Sequence, residues 1–224
     1  MEQTLTLPLF PLGSLLFPGG DMNLHIFEER YRLMIGRCLS TQQPFGIVLL
    51  RRGHEVIEGR RMAIAPEPYD VGTIALIQEH IRLEDGRYLL HVVGQKRFRI
   101  ATITEKTPYL VAQVKLLPDR VDEQTLAAAT ELRDTYRRYW ERVATITGVE
   151  IDVEELPLEP IRLSYALADR LQIDPAQKQR WLEADVTGRL RGLIKALRTE
   201  LAILPRGPQG FDPQSMFGGW NSLN

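Results

Sequence analysis

The chain has 224 residues, 44% of them hydrophobic and 25% charged, enough to bury a core in one or two globular domains. Its formal net charge is -1, with 14 basic and 12 acidic side chains in residues 1–117 and 13 and 16 in residues 118–204. Neither part has the positive excess that phosphate-backbone binding usually needs, and the single cysteine, Cys38, excludes an internal disulfide or a multi-cysteine metal site and points to a reducing cytoplasm.

At the N-terminus Glu2 stands where a secretory signal would carry a basic cluster, and Pro8, Pro11 and Gly13 interrupt the apolar run, so no signal peptide is expected. No stretch is long enough to span a bilayer. Prolines every few residues allow extended backbone but remove donors, which predicts an edge strand running into a turn at Pro18-Gly19-Gly20. Leu9, Phe10, Leu16 and Phe17 read as core, yet Leu16, Phe17 and Met22 also stand in the turn after that strand, where they are candidates for binding. Residues 28–40 predict a helix: Phe27, Tyr31, Met34, Ile35, Cys38 and Leu39 recur at three-to-four spacing, and Glu28 and Glu29 suit its first turn. Cys38, on that apolar face, reads as an inert buried thiol.

Short β-rich runs follow at residues 45–51, 60–65, 71–83, 88–93, 97–104 and 109–116, separated by Gly, Pro and charged residues. The clearest is a hairpin, in which Ile81 and Leu83, then Tyr88, Leu90 and Val92, alternate with His80, Arg82 and His91 across Glu84-Asp85-Gly86-Arg87. Six or so strands with one early helix fit a small, partly closed β-barrel, which leaves fewer open edges than a flat sheet.

After Pro118 the periodicity becomes helical. Leu126, Ala129, Leu132, Tyr136, Trp140, Val143 and Ile146 form one stripe over residues 123–147, stopped by Gly148. An acidic connector holding Glu150, Asp152, Glu154, Glu155 and Glu159 leads to Pro160, which opens a helix with Ile161, Leu163, Leu167, Ala168 and Leu171. Asp174-Pro175 caps another short helix. The last helix carries Leu190, Leu193, Ile194, Leu197, Leu201 and Leu204, with Arg189, Arg191, Lys195 and Arg198 mostly off that stripe. Residues 205–224 are rich in Gly and Pro, with Phe211, Met216, Phe217 and Trp220 scattered among polar residues, and read as a flexible tail or as a segment that docks on its own bundle or a second copy.

The blocks Leu7-Pro8-Leu9-Phe10-Pro11-Leu12-Gly13, Leu15-Leu16-Phe17-Pro18-Gly19-Gly20 and Leu24-His25-Ile26-Phe27-Glu28-Glu29-Arg30-Tyr31 resemble the start of the Lon N-terminal, substrate-binding domain. The resemblance continues through residues 45–50, 71–75, 85–87, 93–100 and 108–112. Ser164-Tyr165-Ala166-Leu167-Ala168, Lys178-Gln179, Leu182-Glu183 and Arg189-Leu190 are similar to the helical portion that follows the barrel in that family. It implies an α+β fold, a PUA-like β pseudo-barrel with one early helix over residues 1–118, then a C-terminal α-helical bundle over 119–204 and the tail at 205–224.

In Lon proteases this domain precedes an ATPase module and a peptidase module with a serine-lysine dyad. No Gly-x-x-x-x-Gly-Lys-Ser/Thr loop is present here, and about twenty residues follow the last predicted helix. Ser14, Ser40, Ser164, Ser215 and Ser222 sit in no nucleophile elbow. Ser164 falls inside a predicted helix, where a back-bonded hydroxyl is expected, although a triad assembled by the fold need not be local in sequence. His25, His54, His80 and His91 are too dispersed for a metal motif, although His80 and His91 could face each other across the hairpin. Gly94 reads as a strand bend and not as part of a phosphate loop.

No cofactor, no metal and no catalytic residue are therefore expected. The leading reading is a non-catalytic polypeptide-binding module, an adaptor or client-recognition factor connected with proteolysis. Unfolded or flexible polypeptide segments would dock in an apolar groove at the barrel rim or the barrel-bundle junction, and pair with an exposed strand edge. Leu16, Phe17 and Met22 are its candidates, and a protease or chaperone is the candidate partner machinery. The alternative is a PUA-like RNA-binding protein using Lys96, Arg97 and Arg99 of the basic-aromatic run Gln95-Lys96-Arg97-Phe98-Arg99. Strand alternation would put Lys96 and Phe98 on one side and Arg97 and Arg99 on the other, which weakens that alternative. A cryptic hydrolase is the third reading.

Overall fold

A computed structural model describes residues 4–52, 67–149 and 155–205. The predicted strand at 60–65, His54, Glu150, Asp152 and Glu154 of the acidic connector, and the tail beyond Pro205 with Ser215 and Ser222 lie outside the described residues. The chain divides into two compact units, Met1–Pro118 and Asp119–Asn224.

The first unit contains β1 (Thr4–Leu12), β2 (Asp21–Ile26), α1 (Glu29–Thr41), β3 (Phe45–Arg52), β4 (Glu67–Arg82), β5 (Tyr88–Glu105) and β6 (Leu110–Leu116). The strands are ordered β2-β5-β4-β3-β1-β6, and β6 pairs again with β5. That last pairing closes the sheet, and β5 makes it possible by its length. Its first part pairs with β2, from Tyr88 opposite Ile26 to Val93 opposite Asp21. Its second part pairs with β6, from Phe98 opposite Leu116 to Glu105 opposite Val111. The expected partly closed pseudo-barrel with one early helix is therefore what forms.

The proline-rich β1 is not an edge strand: it lies between β3 and β6. Its two neighbours meet different halves of it. β6 runs antiparallel along Thr4–Leu9, and β3 runs parallel along Leu9–Leu12. Pro8 and Pro11 each fall in a half with one ladder partner, so an interior position can still tolerate a donorless nitrogen. The predicted runs 88–93 and 97–104 are a single strand, β5. A register shift lies between them, where Thr73 faces Arg97 and Ala75 faces Gly94. β2 is additional to the predicted elements.

Two apolar clusters fill this unit. One gathers Phe10, Leu16, Leu24 and Ile26, Tyr31, Met34, Ile35 and Cys38 of α1, and Tyr88, Leu90 and Val92 of β5. The other contains Leu7, Leu9, Val48, Ile74, Phe98, Leu110, Ala112 and Val114. Phe10 and Tyr31 meet edge-to-face with ring centroids 4.5 Å apart, fixing α1 against β1. Two residues assigned by pattern to apolar faces lie outside: Phe27 is 48% exposed, one residue beyond β2, and Ile81 is 61% exposed, opposite Leu89 on the outer face of the hairpin.

The second unit contains α2 (Glu123–Thr147), α3 (Pro160–Arg170), α4 (Pro175–Glu183) and α5 (Val186–Ile203). Their ends follow local chemistry. Asp122 and Thr125 form a capping box, and Gly148 closes α2 in the left-handed conformation. Glu159, at the end of the acidic connector, accepts from the Ile161 and Arg162 amides at 2.9 and 2.7 Å and so caps α3. Asp174 accepts from the Ala176 amide at 2.7 Å, ahead of Pro175. Leu132, Tyr136, Val143 and Ile146 of α2 are buried, as are Leu190, Leu193, Ile194 and Leu197 of α5. Leu126 departs from the expected stripe and is 53% exposed, whereas Arg189, expected off the stripe, is fully buried.

Candidate functional site

The loop after β1 is held down by its own apolar residues. Leu16 and Phe17 are 2% and 1% exposed, so both are packed in the core, the other of the two roles expected for them. Pro18-Gly19 occupies the centre of a turn in which the Gly20 amide donates to the Phe17 carbonyl at 3.0 Å, and Gly19 takes φ +81°. This is the type II geometry that proline followed by glycine favours. The turn is tied to β5: the Gly19 amide donates to the Gly94 carbonyl at 2.8 Å, and the Gly94 amide to the Gly20 carbonyl at 2.9 Å. A Cβ on Gly94 would overlap the Phe17 carbonyl, so close backbone approach, beyond the predicted bend, requires glycine there. Met22 belongs to β2 and not to the turn, and is half-buried against the first cluster.

The three cations of the alternative reading are not brought together. Lys96 and Arg99 are exposed, while Arg97 is only 5% exposed beside the fully buried Phe98. Arg97 stands opposite the fully buried Thr73, so its guanidinium lies inside the unit and not on a face open to phosphates. The histidines are likewise dispersed. His80 lies opposite Leu90, and Glu79 opposite His91, so the two histidines do not face each other across the hairpin. His91 Nδ1 lies 3.1 Å from Asn23 Oδ1, and His25 Nε2 lies 3.2 Å from Arg87 Nη1. Among the described residues no three His, Cys, Asp or Glu side chains are grouped to hold a metal ion.

Ser164 donates to the Ile161 carbonyl at 2.7 Å, the expected back-bond, and also accepts from Arg189 Nε at 2.9 Å. Around Arg189, Nη1 donates to the Trp181 carbonyl at 3.2 Å and Nη2 to Asp119 Oδ1 at 3.1 Å. Tyr165 donates to Asp119 Oδ2 at 2.6 Å, and its ring lies under the guanidinium at 3.8 Å. The hydroxyl of Ser164 is therefore committed to a structural network. Its sequence signal was the three-to-four spacing of Val186, Arg189, Leu193 and Leu197, which puts the arginine on the buried face.

β2, β5 and β4 run side by side in the sheet. His25 faces Leu89, and Leu89 faces Ile81, so the three form a row across the outer face. Leu89 is 41% exposed and Ile81 61%, and the Phe27 ring lies 5.8 Å from that of His25. Among the described residues β2 has one strand neighbour, β5. The strict alternation of Asp21, Met22, Asn23, Leu24, His25 and Ile26 is the signal that finds this strand.

Comparison with known proteins agrees with this architecture. The family model described as the ATP-dependent protease La (LON) substrate-binding domain matches residues 6–199. Lon protease of Anaeromyxobacter dehalogenans is 27% identical over 203 residues, covering 88% of this chain and 24% of the protease. Lon protease 2 of Herpetosiphon aurantiacus is 31% identical over 208 residues, covering 90% of this chain and 24% of that protein. Among solved structures, a Lon N-terminal domain protein from Xanthomonas campestris superimposes with a TM-score of 0.58 at 25% identity, covering 90% of this chain and 99% of that one. The N-terminal domain of Mycobacterium avium complex Lon protease shares the fold, with a TM-score of 0.60 at 20% identity over 86% of this chain and 98% of that one. This chain belongs to the Lon substrate-binding domain family, with its α+β, PUA-like fold. It spans about a quarter of the length of the curated proteases it matches, and the part matched is the substrate-binding domain, not a catalytic one. No helix among the described residues is long and apolar enough to cross a membrane.

Proposed function

We propose that this chain is a non-catalytic polypeptide-binding module that recognises unfolded or flexible segments of client proteins and acts as an adaptor or client-recognition factor. The observation that carries this reading is the match of residues 6–199 to a substrate-binding domain, nearly the whole described chain and both of its units. The barrel supports it physically, since Phe27 and Leu89 are exposed beside β2, which among the described residues has β5 as its one strand neighbour. Of Leu16, Phe17 and Met22, the half-buried Met22 alone retains surface for such contact. A protease or chaperone is the partner to which clients would be delivered, in the cytoplasm.

The test is direct. Fluorescently labelled β-casein, an unfolded chain, should bind the purified protein saturably without nucleotide and remain uncleaved. Absence of binding at any attainable concentration would contradict the proposal, as would casein cleavage that follows substitutions in this chain.

A further inference from the structure

Helices α2 and α5 lie side by side in the same chain direction, tied by a row of contacts. Arg191 donates to Gln124 at 3.3 Å, Arg198 to Glu131 at 2.7 Å, and Arg142 to the Pro205 carbonyl at 2.8 Å. Positions seven apart return to the same side of a helix after two turns, so these contacts run along one flank of the pair. A groove of about 600 Å³ opens on that flank, with Ile194, Ala202 and Ile203 as its apolar lining. Ile203 is 68% exposed. A groove of this size has room for several apolar side chains.

The walls of the groove are basic. Arg191, Lys195 and Arg198 face one carboxylate, Glu131, and Arg138 and Arg142 continue the α2 row beyond it. Asp134, on the neighbouring face of α2, pairs with Arg137 at 3.3 Å, and Glu200 is half a turn round α5 from Arg191. The complementary occupant is therefore apolar, with a carboxylate beside its large side chains.

Residues 206–224 meet that description. Arg142 holds the Pro205 carbonyl on the flank of the groove, so the chain leaves α5 on that side. The six residues from Pro205 to Phe211 reach up to about 20 Å, whereas the nine from Ile203 back to Ile194 span about 14 Å of helix. Phe211 is thus within reach of the far end of the groove. Asp212, the one carboxylate side chain of the segment, follows Phe211 directly, and Met216, Phe217 and Trp220 add apolar surface; the one cation, Arg206, stands five residues ahead of Phe211.

We propose that residues 206–224 fold back onto the bundle they follow, seating Phe211 and the apolar residues after it in the groove between α2 and α5, with Asp212 beside Lys195. The segment is a ligand carried by the chain itself, and the proposal stands apart from the polypeptide-binding reading. Tethering favours it over a segment arriving from solution. At an effective concentration near 1 mM, a contact with a Kd of about 0.1 mM keeps the segment seated about nine-tenths of the time.

The test is limited chymotrypsin digestion of the full chain, following cleavage after Phe217 by mass spectrometry against a synthetic peptide of residues 206–224. Cleavage of a fast-opening segment tracks its open population, so the parent should be cut about tenfold more slowly than the peptide. The variant Lys195→Glu/Ile203→Asp should keep the parent melting temperature, because both side chains are exposed, and should lose this protection. The variant Phe211→Ser, which leaves the helices untouched and decides the matter if the groove variant melts early, should be cut as fast as a peptide with the same change. Cleavage of the parent as fast as the peptide overturns the proposal, as does protection that persists in either folded variant. Protection that fades on dilution would also overturn it, and would assign the groove to the segment of a second copy.

Discussion

Among the described residues Arg189 is the largest fully buried side chain, and its charge is sustained there by Ser164, two backbone carbonyls and Asp119, whose side chain is 14% exposed. Removing one partner of such a pair leaves the other uncompensated, so Arg189→Ala should lose about 3–5 kcal/mol in urea unfolding. A denaturation midpoint equal to the parent's would show that the network is not holding the helices. Cys38, 3% exposed, has its thiol pushed from the ordinary 9.0 up to about 11 by burial. Its folded form holds its proton where the unfolded chain gives it up, so this thiol contributes nothing to the pH dependence below pH 9 and lowers stability as pH rises from 9 towards 11. Alkylation by iodoacetamide at pH 8 should accordingly be slow in the folded protein and fast in urea; equal rates would place the thiol at the surface.

At the scale of the element, the helices stand on side chains spaced to one face. Leu197 is fully buried in α5, so Leu197→Ala should cost about 2–5 kcal/mol, read from a thermal or urea melt. An unchanged melt would remove α5 from the core. Gly94→Ala should cost about 1–3 kcal/mol, because the new methyl meets the Phe17 carbonyl in the tied-down turn; a neutral result would mean that the turn yields freely. The helices were legible because caps such as Asp174 and Gly148 and a 3.6-residue period are local signals. The pseudo-barrel was legible as a class, but its connections were not. Which strand lies beside β1 depends on partners far along the chain, and the two one-sided halves that accommodate Pro8 and Pro11 exist only once β3 and β6 have docked. The candidate site was read least well. Leu16 and Phe17 have the composition of a sticky loop, yet the hydrogen bonds from Gly19 and Gly94 turn them inward. The exposed row was hidden in residues such as Phe27 and Ile81, which fit an apolar period without reaching the core.

For the molecule as a whole, family membership and charge lead to the same expectation. A chain with a formal net charge of -1, whose cations Lys96, Arg97 and Arg99 are split between surface and interior, has little means of gathering phosphates. Apolar docking and backbone pairing release no condensed counterions, whereas phosphate binding weakens by roughly 0.7 log units per contact for each log unit of salt on a single strand. The central claim, that this member of the Lon substrate-binding domain family recognises unfolded polypeptide, is tested most directly by one salt titration. Labelled β-casein and a labelled single-stranded RNA are each titrated with the purified chain from low to physiological salt. Casein should keep most of its affinity throughout while RNA associates weakly and is lost as salt rises. Tight, sequence-selective RNA binding that disappears on replacing Lys96, Arg97 and Arg99 by Ala, with no saturable binding of casein, would contradict the account.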